Sequence, residues 1–345
     1  MNRTYLDMIQ GQEPAYTPVW FMRQAGRSQP KYREIKKTHS LFDITREPEL
    51  CAYVTNLPVE EYGLDAAILY KDIMSPMAAI GVEVKLVPGK GPVFERPIQR
   101  AADLDQIGTF DGSKVSYIAD TIKLLTSEVL DVPLIGFCGG PFTIASYLVE
   151  GGPTKSYNKT RGLMVSQADL WDDLMNRLAD MSIDYLSMQV EAGANALQIF
   201  DSWIGAVSAE QYHAHIFSHM DKIISTMKAK YPHIPLAMNG VGNAHLVEEW
   251  GQLPIDVLAL DWRCPIDRLG QLGIDKVVQG NLDPAFLYAP VHVLDKELDA
   301  IIEAGLRHGR HVFNLGHGVF PEADPAKLKY ITEYVHEKSR ALRAK

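Results

Sequence analysis

The feature that most constrains this chain is a regular alternation of short apolar runs with longer amphipathic segments. Each run ends in Gly, Pro or a polar cluster, a pattern typical of buried parallel strands. The runs are Val19–Met22, Ala66–Tyr70, Pro133–Cys138, Ala194–Phe200, Pro235–Met238, Val257–Leu260, Lys276–Val278 and His311–Asn314. The predicted helices between and after them are Glu47–Tyr62, Lys114–Leu130, Gln167–Glu191, Ala209–Lys230, Ala244–Trp250, Lys296–Arg307 and Pro325–Ala344. This alternation predicts a parallel sheet covered by helices.

Eight units favour a closed barrel over an open doubly wound sheet, which more often has five or six strands and a glycine-rich phosphate turn after the first. No G-x-G-x-x-G follows the first run, and no linker or composition shift marks a boundary. We therefore predict an α/β fold, a single-domain (β/α)8 TIM barrel over residues 1–345. The segment Gly81–Pro97 alternates apolar and polar residues around Pro88–Gly91, which predicts a β-hairpin inserted after the second unit.

Charge and cysteine content narrow the class of protein. There are 43 acidic and 34 basic residues, a formal net charge of −9, which disfavours nucleic acid or an anionic membrane as the main partner. An anionic substrate would need a locally basic cleft. The cysteines, Cys51, Cys138 and Cys264, are far apart and have no metal-binding spacing, which favours a reducing cytoplasm. The uncharged run Val132–Val149 is interrupted by Pro and Gly, so we expect no membrane span. Asp7 and Gln10–Glu13 stand where a signal peptide would need an unbroken apolar stretch, so we expect no export signal.

In a barrel of this class the functional residues lie at the carboxyl ends of the strands. The first run is followed by Arg23 and Arg27, four residues apart in a loop that contains Gly26. Planar guanidinium groups suit carboxylates, although such arginines also form ordinary surface ion pairs. Asp72 follows the second run, where a barrel-mouth carboxylate and a helix N-cap are the two interpretations.

Later strand exits supply further candidates. The third leads into a helix that carries Tyr147, and the fourth exits at Phe200–Trp203, which contains Ser202. The eighth places His317 between two glycines, where the imidazole can face a ligand. A core tyrosine and a structural histidine are the alternatives. The fifth to seventh exits, among them Asp261–Arg263, are weaker signals.

Motifs along nearly the whole chain resemble the uroporphyrinogen decarboxylase family. They are PVWFMRQAGR at Pro18–Arg27, Asp72, SYLVEGG at Ser146–Gly152, FDSW at Phe200–Trp203, QGNLDP at Gln279–Pro284 and NLGHG at Asn314–Gly318. The resemblance implies a single-domain (β/α)8 barrel that converts uroporphyrinogen III to coproporphyrinogen III without a metal or prosthetic group. It also implies a homodimer.

The same resemblance implies the site. Its substrate contacts fall on Arg23, Gln24, Ala25, Gly26, Arg27, Tyr147, Ser202 and His317, with Asp72 binding the pyrrole NH groups; the expected catalytic set is Asp72, Arg23, Arg27, Tyr147 and His317. The sequence departs from the family pattern at Lys71, where many members have a small residue. It departs again at Ser28–Gln29, where an aromatic–aliphatic pair is common.

These residues suit a decarboxylation without a cofactor. A pyrrole protonated beside its acetate can accept the electrons of the breaking bond, so the protein mainly has to stabilise a cationic ring. We hypothesise that Asp72 does this from a water-poor cleft. His317, Tyr147 and an arginine remain alternatives for the proton donor.

Three other functions are considered. A zinc-dependent, corrinoid-linked methyltransferase of similar fold would need His-x-Cys after the fifth run and Cys after the eighth, where this chain has Met238–Gly240 and Gly316–Gly318. A non-catalytic tetrapyrrole carrier would need the arginines but neither Asp72 nor His317. A Schiff-base aldolase would use Lys71.

Overall fold

A computed structural model describes residues 1–87, 89 and 91–345 of the chain. The strands, in chain order, are β1 (Ala67–Ile68), β2 (Lys85–Val87), β3 (Gly91–Val93), β4 (Leu134–Gly139), β5 (Ala196–Asp201), β6 (Leu236–Gly240), β7 (Val257–Ala259), β8 (Val277–Gln279) and β9 (His311–Val312). The main sheet has the order β1-β4-β5-β6-β7-β8-β9, and all its neighbouring strands are parallel. Its strands coincide with the second to eighth apolar runs.

The first apolar run joins the two edges of this curled sheet. Val19 forms a parallel bridge with Phe313, and the Trp20 N–H donates to the Phe313 carbonyl at 3.3 Å. On the other side, the Asp65 N–H donates to the Val19 carbonyl at 2.9 Å. The sheet is thereby closed by an eighth extended segment, which confirms the predicted barrel class.

Helices surround the sheet. They are α1 (Thr4–Ile9), α2 (Pro30–Ile35), α3 (Leu41–Arg46), α4 (Pro48–Tyr62), α5 (Ser116–Leu124), α6 (Pro141–Glu150), α7 (Asn158–Ser166), α8 (Ala168–Glu191), α9 (Ala209–His215), α10 (Phe217–Lys230), α11 (Val247–Gln252), α12 (Asp267–Gln271), α13 (Val291–His308) and α14 (Pro325–Arg343). Short 3₁₀ segments cover Ser75–Ile80, Ala101–Gln106, Gly112–Val115, Ile204–Ala206, Ala244–Leu246 and Pro284–Tyr288, and Leu125–Val129 is a π-helical turn.

One predicted helix is wrong in its continuity. The segment Ala209–Lys230 divides at Ile216, whose φ of −130° leaves the helical range. The Trp171 indole N–H donates to the His215 carbonyl at 2.8 Å. This side-chain hydrogen bond from α8 replaces part of the backbone hydrogen bonding that a continuous helix would have here. The break therefore has a tertiary cause.

Within the segment predicted as a hairpin, β2 pairs antiparallel with β3, and Leu86 lies opposite Pro92. The predicted turn at Pro88–Gly91 includes Pro88 and Lys90, which lie outside the described residues.

The barrel interior is packed with side chains. Trp20 is fully buried, and its indole N–H donates to Gln279 Oε1 at 3.0 Å. The Gln279 amide in turn donates to Gln198 at 3.3 Å. A filled interior leaves the rim as the place for a ligand. Within the described residues, no helix has the length and apolarity needed to cross a membrane.

Candidate active site

Arg23 has an unusual backbone conformation at the exit of the first extended segment. Its φ is 60°, in the left-handed region that non-glycine residues seldom adopt. The fully buried Gln24 side chain fixes this turn, because it accepts from the Phe21 N–H at 3.1 Å and donates to the Ala66 carbonyl at 3.2 Å. Gln24 therefore supports the loop with its side chain, and Arg23 is exposed at the rim. Strain held in place by surrounding contacts is common at functional sites.

His317 lies in a tight loop after β9. A Cβ on Gly318 would lie 2.5 Å from Arg23 Cδ, and a Cβ on Gly316 would overlap the backbone nitrogen of Trp262. The two glycines therefore let the loop pack closely against Arg23 on one side and Trp262 on the other. The Gly318 N–H donates to His317 Nδ1 at 2.6 Å, so the neutral ring carries its proton on Nε2.

The surroundings of His317 favour that neutral ring. Burial lowers the pKa of the imidazole, and the nearby Arg23 and Arg263 guanidinium groups lower it further. A histidine of this kind donates a hydrogen bond from Nε2 and carries little charge near neutral pH.

Asp72 follows β1 at the same end of the barrel. Its Oδ1 accepts from the Met74 N–H at 2.8 Å, next to the 3₁₀ segment that starts at Ser75. Within the described residues, Oδ2 has no hydrogen-bond partner. Burial raises the pKa of the carboxyl, while the Met74 N–H and the Arg23 charge oppose that rise. The side chain thus stabilises its own turn and still offers one oxygen to a ligand.

Tyr147, on α6, completes a group around Arg23. The side chain is buried and packs near Trp203, with ring centroids 6.2 Å apart. Burial raises the pKa of the phenol and the Asp72 charge raises it further, whereas Trp203 and Arg23 lower it. Tyr147 is therefore a protonated hydroxyl donor near neutral pH. The charge of Arg23 lowers the pKa of Asp72, Tyr147 and His317. The structure therefore brings these four predicted residues together.

Other predicted site residues lie around this group. Arg27 is exposed, and its charge lowers the pKa of Tyr32. The Tyr32 hydroxyl lies 2.6 Å from the hydroxyl of Tyr70, which is two positions before Asp72. Its charge is not among those acting on Asp72 or His317. Ala25 and Gly26 lie half-buried between the two arginines, and Ser202 is half-buried directly after β5.

Lys71 points away from the mouth. Its ammonium group donates to the Phe137 carbonyl, the Tyr185 hydroxyl and Gln189 Oε1 at 2.7, 2.8 and 2.9 Å. The Phe137 and Tyr185 rings lie 4.4 and 4.1 Å from Nζ. Burial lowers the pKa of this amine well below its usual value. Because its amine is bound between β4 and α8, Lys71 does not extend into the mouth.

Sequence reasoning missed one buried carboxyl, Asp201, at the end of β5. Its Oδ1 accepts from the Thr143 N–H at 2.9 Å and the Thr143 hydroxyl at 2.6 Å, while Oδ2 has no partner in the described part of the chain. Burial raises its pKa to about 6. The signal was present in the FDSW motif, where only Ser202 was selected.

A metal centre would require several ligands in one place. Over the part of the chain that the structure describes, no group of three His, Cys, Asp or Glu side chains could hold a metal ion.

Comparison with known proteins places the chain in a family. The model of the family described as uroporphyrinogen decarboxylase (URO-D) matches residues 1–338. The uroporphyrinogen decarboxylases of Staphylococcus aureus strains USA300 / TCH1516 and JH9 are each 54% identical over 336 residues, which cover 97% of this chain and 97% of theirs.

Solved structures support the fold alone. A methyltransferase from Methanosarcina mazei superposes with a TM-score of 0.77 at 20% identity, covering 97% of both chains. A B12-independent methionine synthase from Shewanella sp. W3-18-1 has a TM-score of 0.60 at 13% identity, covering 90% of this chain and 92% of that one. The family match and the full-length relatives, by contrast, identify the lineage: this chain belongs to the uroporphyrinogen decarboxylase family.

Proposed function

We propose that this chain decarboxylates the four acetate side chains of uroporphyrinogen III to methyl groups, giving coproporphyrinogen III and four molecules of CO2. The observation that carries the proposal is the placement of Asp72 near Arg23, Tyr147 and His317 at the carboxyl end of the barrel, with an Oδ2 that no described residue occupies.

The arginines bind the substrate. Uroporphyrinogen carries eight carboxylates, and each charge-assisted hydrogen bond contributes on the order of 1.5–3 kcal/mol. Arg23 and Arg27 are both exposed at the rim, where their guanidinium groups can bind carboxylates. The backbone of Gln24–Gly26 lies between them and contributes the remaining contacts of this loop. The two arginines make the rim locally basic, although the chain as a whole has a formal net charge of −9.

Asp72 stabilises the reacting ring. A proton adds to the ring carbon next to the one that bears the acetate, which makes the ring cationic and the acetate-bearing carbon electron-poor. The bond from the acetate methylene to its carboxylate then breaks, its electrons enter the ring, and CO2 leaves. A second proton on the exposed methylene gives the methyl group, and the ring proton is lost. Asp72 Oδ2 accepts hydrogen bonds from the pyrrole N–H groups and stabilises the cationic ring. A preorganised anion stabilises a positive charge most effectively where water is excluded.

His317 and Tyr147 act in this scheme as neutral hydrogen-bond donors to the carboxylates and orient the acetate. The directions of their pKa shifts keep His317 unprotonated on Nδ1 and Tyr147 protonated near neutral pH. Ser202, at the end of β5, is proposed as a further contact.

We also propose that residues 1–345 form one cytoplasmic domain that assembles as a homodimer. Support for the cytoplasm comes from Cys51, Cys138 and Cys264, which are buried free thiols. Exposed Tyr288, Val291 and Val293 offer an apolar surface to a second subunit. Light scattering coupled to gel filtration tests the assembly: a single peak at the monomer mass across micromolar concentrations contradicts the dimer.

The test of function is anaerobic incubation of metal-stripped protein with uroporphyrinogen III, with the products resolved by carboxylate number. We expect intermediates with seven, six and five carboxylates, followed by coproporphyrinogen. Binding without CO2 release would instead indicate a carrier. Activity only after addition of zinc and a methyl donor would indicate a methyltransferase.

A further inference from the structure

Arg263 lies in the loop after β7, directly after Trp262, whose backbone packs against the His317 loop at Gly316. We propose that Arg263 is a further carboxylate-binding residue of this site, so that Arg23 and Arg263 bind substrate carboxylates on the two sides of the His317 loop. The inference rests on the proposed function, since it assigns Arg263 to the polycarboxylate that the site takes.

The packing of the His317 loop defines the two sides. Gly318 lies against the aliphatic part of Arg23, and Gly316 lies against the backbone of Trp262, the residue before Arg263. Because neither glycine position has room for a Cβ, the two arginine-bearing segments flank His317 at close range. The charges of Arg23 and Arg263 both lower the pKa of His317, which agrees with this placement.

The Arg263 side chain is partly fixed and partly free. Its Nη1 donates to Asp261 Oδ2 at 2.7 Å, and the guanidinium carbon lies 3.8 Å from the centroid of the Trp262 ring. These contacts orient the plane of the group. Nevertheless the side chain is 48% exposed, and within the described residues Nε and Nη2 have no hydrogen-bond partner. An oriented guanidinium with open donors is suited to a carboxylate.

Asp261 does not block that use. Its side chain is fully buried, and its oxygens accept from the Gly242 N–H at 2.5 Å and from the Arg263 N–H at 2.8 Å, in addition to Nη1. The carboxylate is therefore turned inward and occupied by donors. The exposed edge of the guanidinium faces solvent, and among the described residues no carboxylate other than Asp261 pairs with it.

A purely structural role for Arg263, as a tie to Asp261, makes a different prediction. Loss of such a tie would lower stability or kcat without a specific effect on substrate affinity. Loss of a carboxylate contact raises KM, keeps kcat nearly unchanged and weakens the dependence of KM on ionic strength.

The experiment compares Arg263→Gln and Arg263→Met with the wild type in anaerobic steady-state kinetics on uroporphyrinogen III. Both variants lack the charge, and Met keeps the packing on Trp262. We expect KM to rise roughly tenfold in both, with kcat within about twofold and a smaller increase of KM with salt. The matched control is Arg268→Gln, because Arg268 is an exposed arginine paired with Glu248 at 3.1 Å, and it should leave KM unchanged.

A second measurement needs no variant. Modification of wild-type arginines by phenylglyoxal is mapped by mass spectrometry with and without coproporphyrinogen III. We expect the ligand to protect Arg263 but not Arg268. If the wild type is active but KM is unchanged in both variants, or if the ligand does not protect Arg263, this inference alone is overturned. If the wild type releases no CO2, the proposed function itself is overturned.

Discussion

Arg23 is the residue on which the candidate site depends most. Its charge acts on Asp72, Tyr147 and His317, and its side chain rests on Gly318. The positive φ is maintained by the buried Gln24 side chain. The charge of Arg23 thus lowers the pKa of three other groups before any substrate binds.

This coupling predicts the pH dependence of kcat/KM, which reports the free enzyme. Asp72 must be ionised to act, and burial raises its pKa, so activity is lost as pH falls through a value above that of an ordinary aspartate. Arg23→Gln removes a charge that lowers this pKa, so the acidic limb should move to higher pH. Arg27→Gln is the control, because Arg27 is not among the charges acting on Asp72. A limb that stays in place or moves to lower pH in Arg23→Gln contradicts the assignment.

Lys71 provides a second test at this scale. Lys71→Met should leave kcat within about fivefold of the wild type, because the amine is bound between β4 and α8 and does not reach the mouth. The Phe137 carbonyl and Gln189 Oε1 keep other donors, whereas the Tyr185 hydroxyl loses one; we expect a stability loss of about 1–3 kcal/mol. The measurements are urea unfolding and rates of CO2 release. Abolished activity, or a lysine adduct trapped by borohydride, would favour Schiff-base chemistry.

At the scale of elements, the glycines around His317 should respond differently to alanine. Gly318→Ala meets a flexible arginine side chain, so Arg23 should be displaced, with KM raised roughly tenfold and little change in stability. Gly316→Ala meets the backbone of Trp262, which cannot move away cheaply, and should destabilise the fold by about 1–3 kcal/mol. Kinetics and urea unfolding of both variants decide this. Equal losses of stability would show that the loop does not pack as described.

The strands were predictable from the sequence because buried parallel strands are continuous apolar runs with abrupt polar ends. The exits of these runs also placed Arg23, Asp72 and His317 at one end of the barrel. The helix break at Ile216 was not predictable, since it depends on Trp171, a partner on another helix. Arg263 lay at a predicted exit, but only the packing of Gly316 against Trp262 shows that its loop lies beside the His317 loop.

At the scale of the whole molecule, closure of the barrel depends on Asp65. Its buried carboxylate accepts from the Val19 N–H at 2.8 Å and the Tyr16 hydroxyl at 3.1 Å, and it contacts His336 of α14 at 2.7 Å. It therefore joins the first extended segment, β1 and the last helix.

Asp65→Ala should lower the free energy of unfolding by about 3–5 kcal/mol, because a buried polar network is left incomplete. Asp275→Ala is the control, since Asp275 pairs with Arg310 while its side chain is 92% exposed, and its loss should cost less than about 1 kcal/mol. Urea unfolding measures both. Similar values for the two variants would mean that Asp65 is not needed for closure.

The central claim is that Asp72 stabilises a transient positive charge on the pyrrole ring. It is tested most directly by single-turnover kinetics of Asp72→Asn with uroporphyrinogen III, following the first loss of CO2 in protein saturated with substrate. We predict a rate at least roughly 100-fold below the wild type, since Asn keeps the size of the side chain but removes its charge. A wild-type rate in Asp72→Asn would contradict the claim.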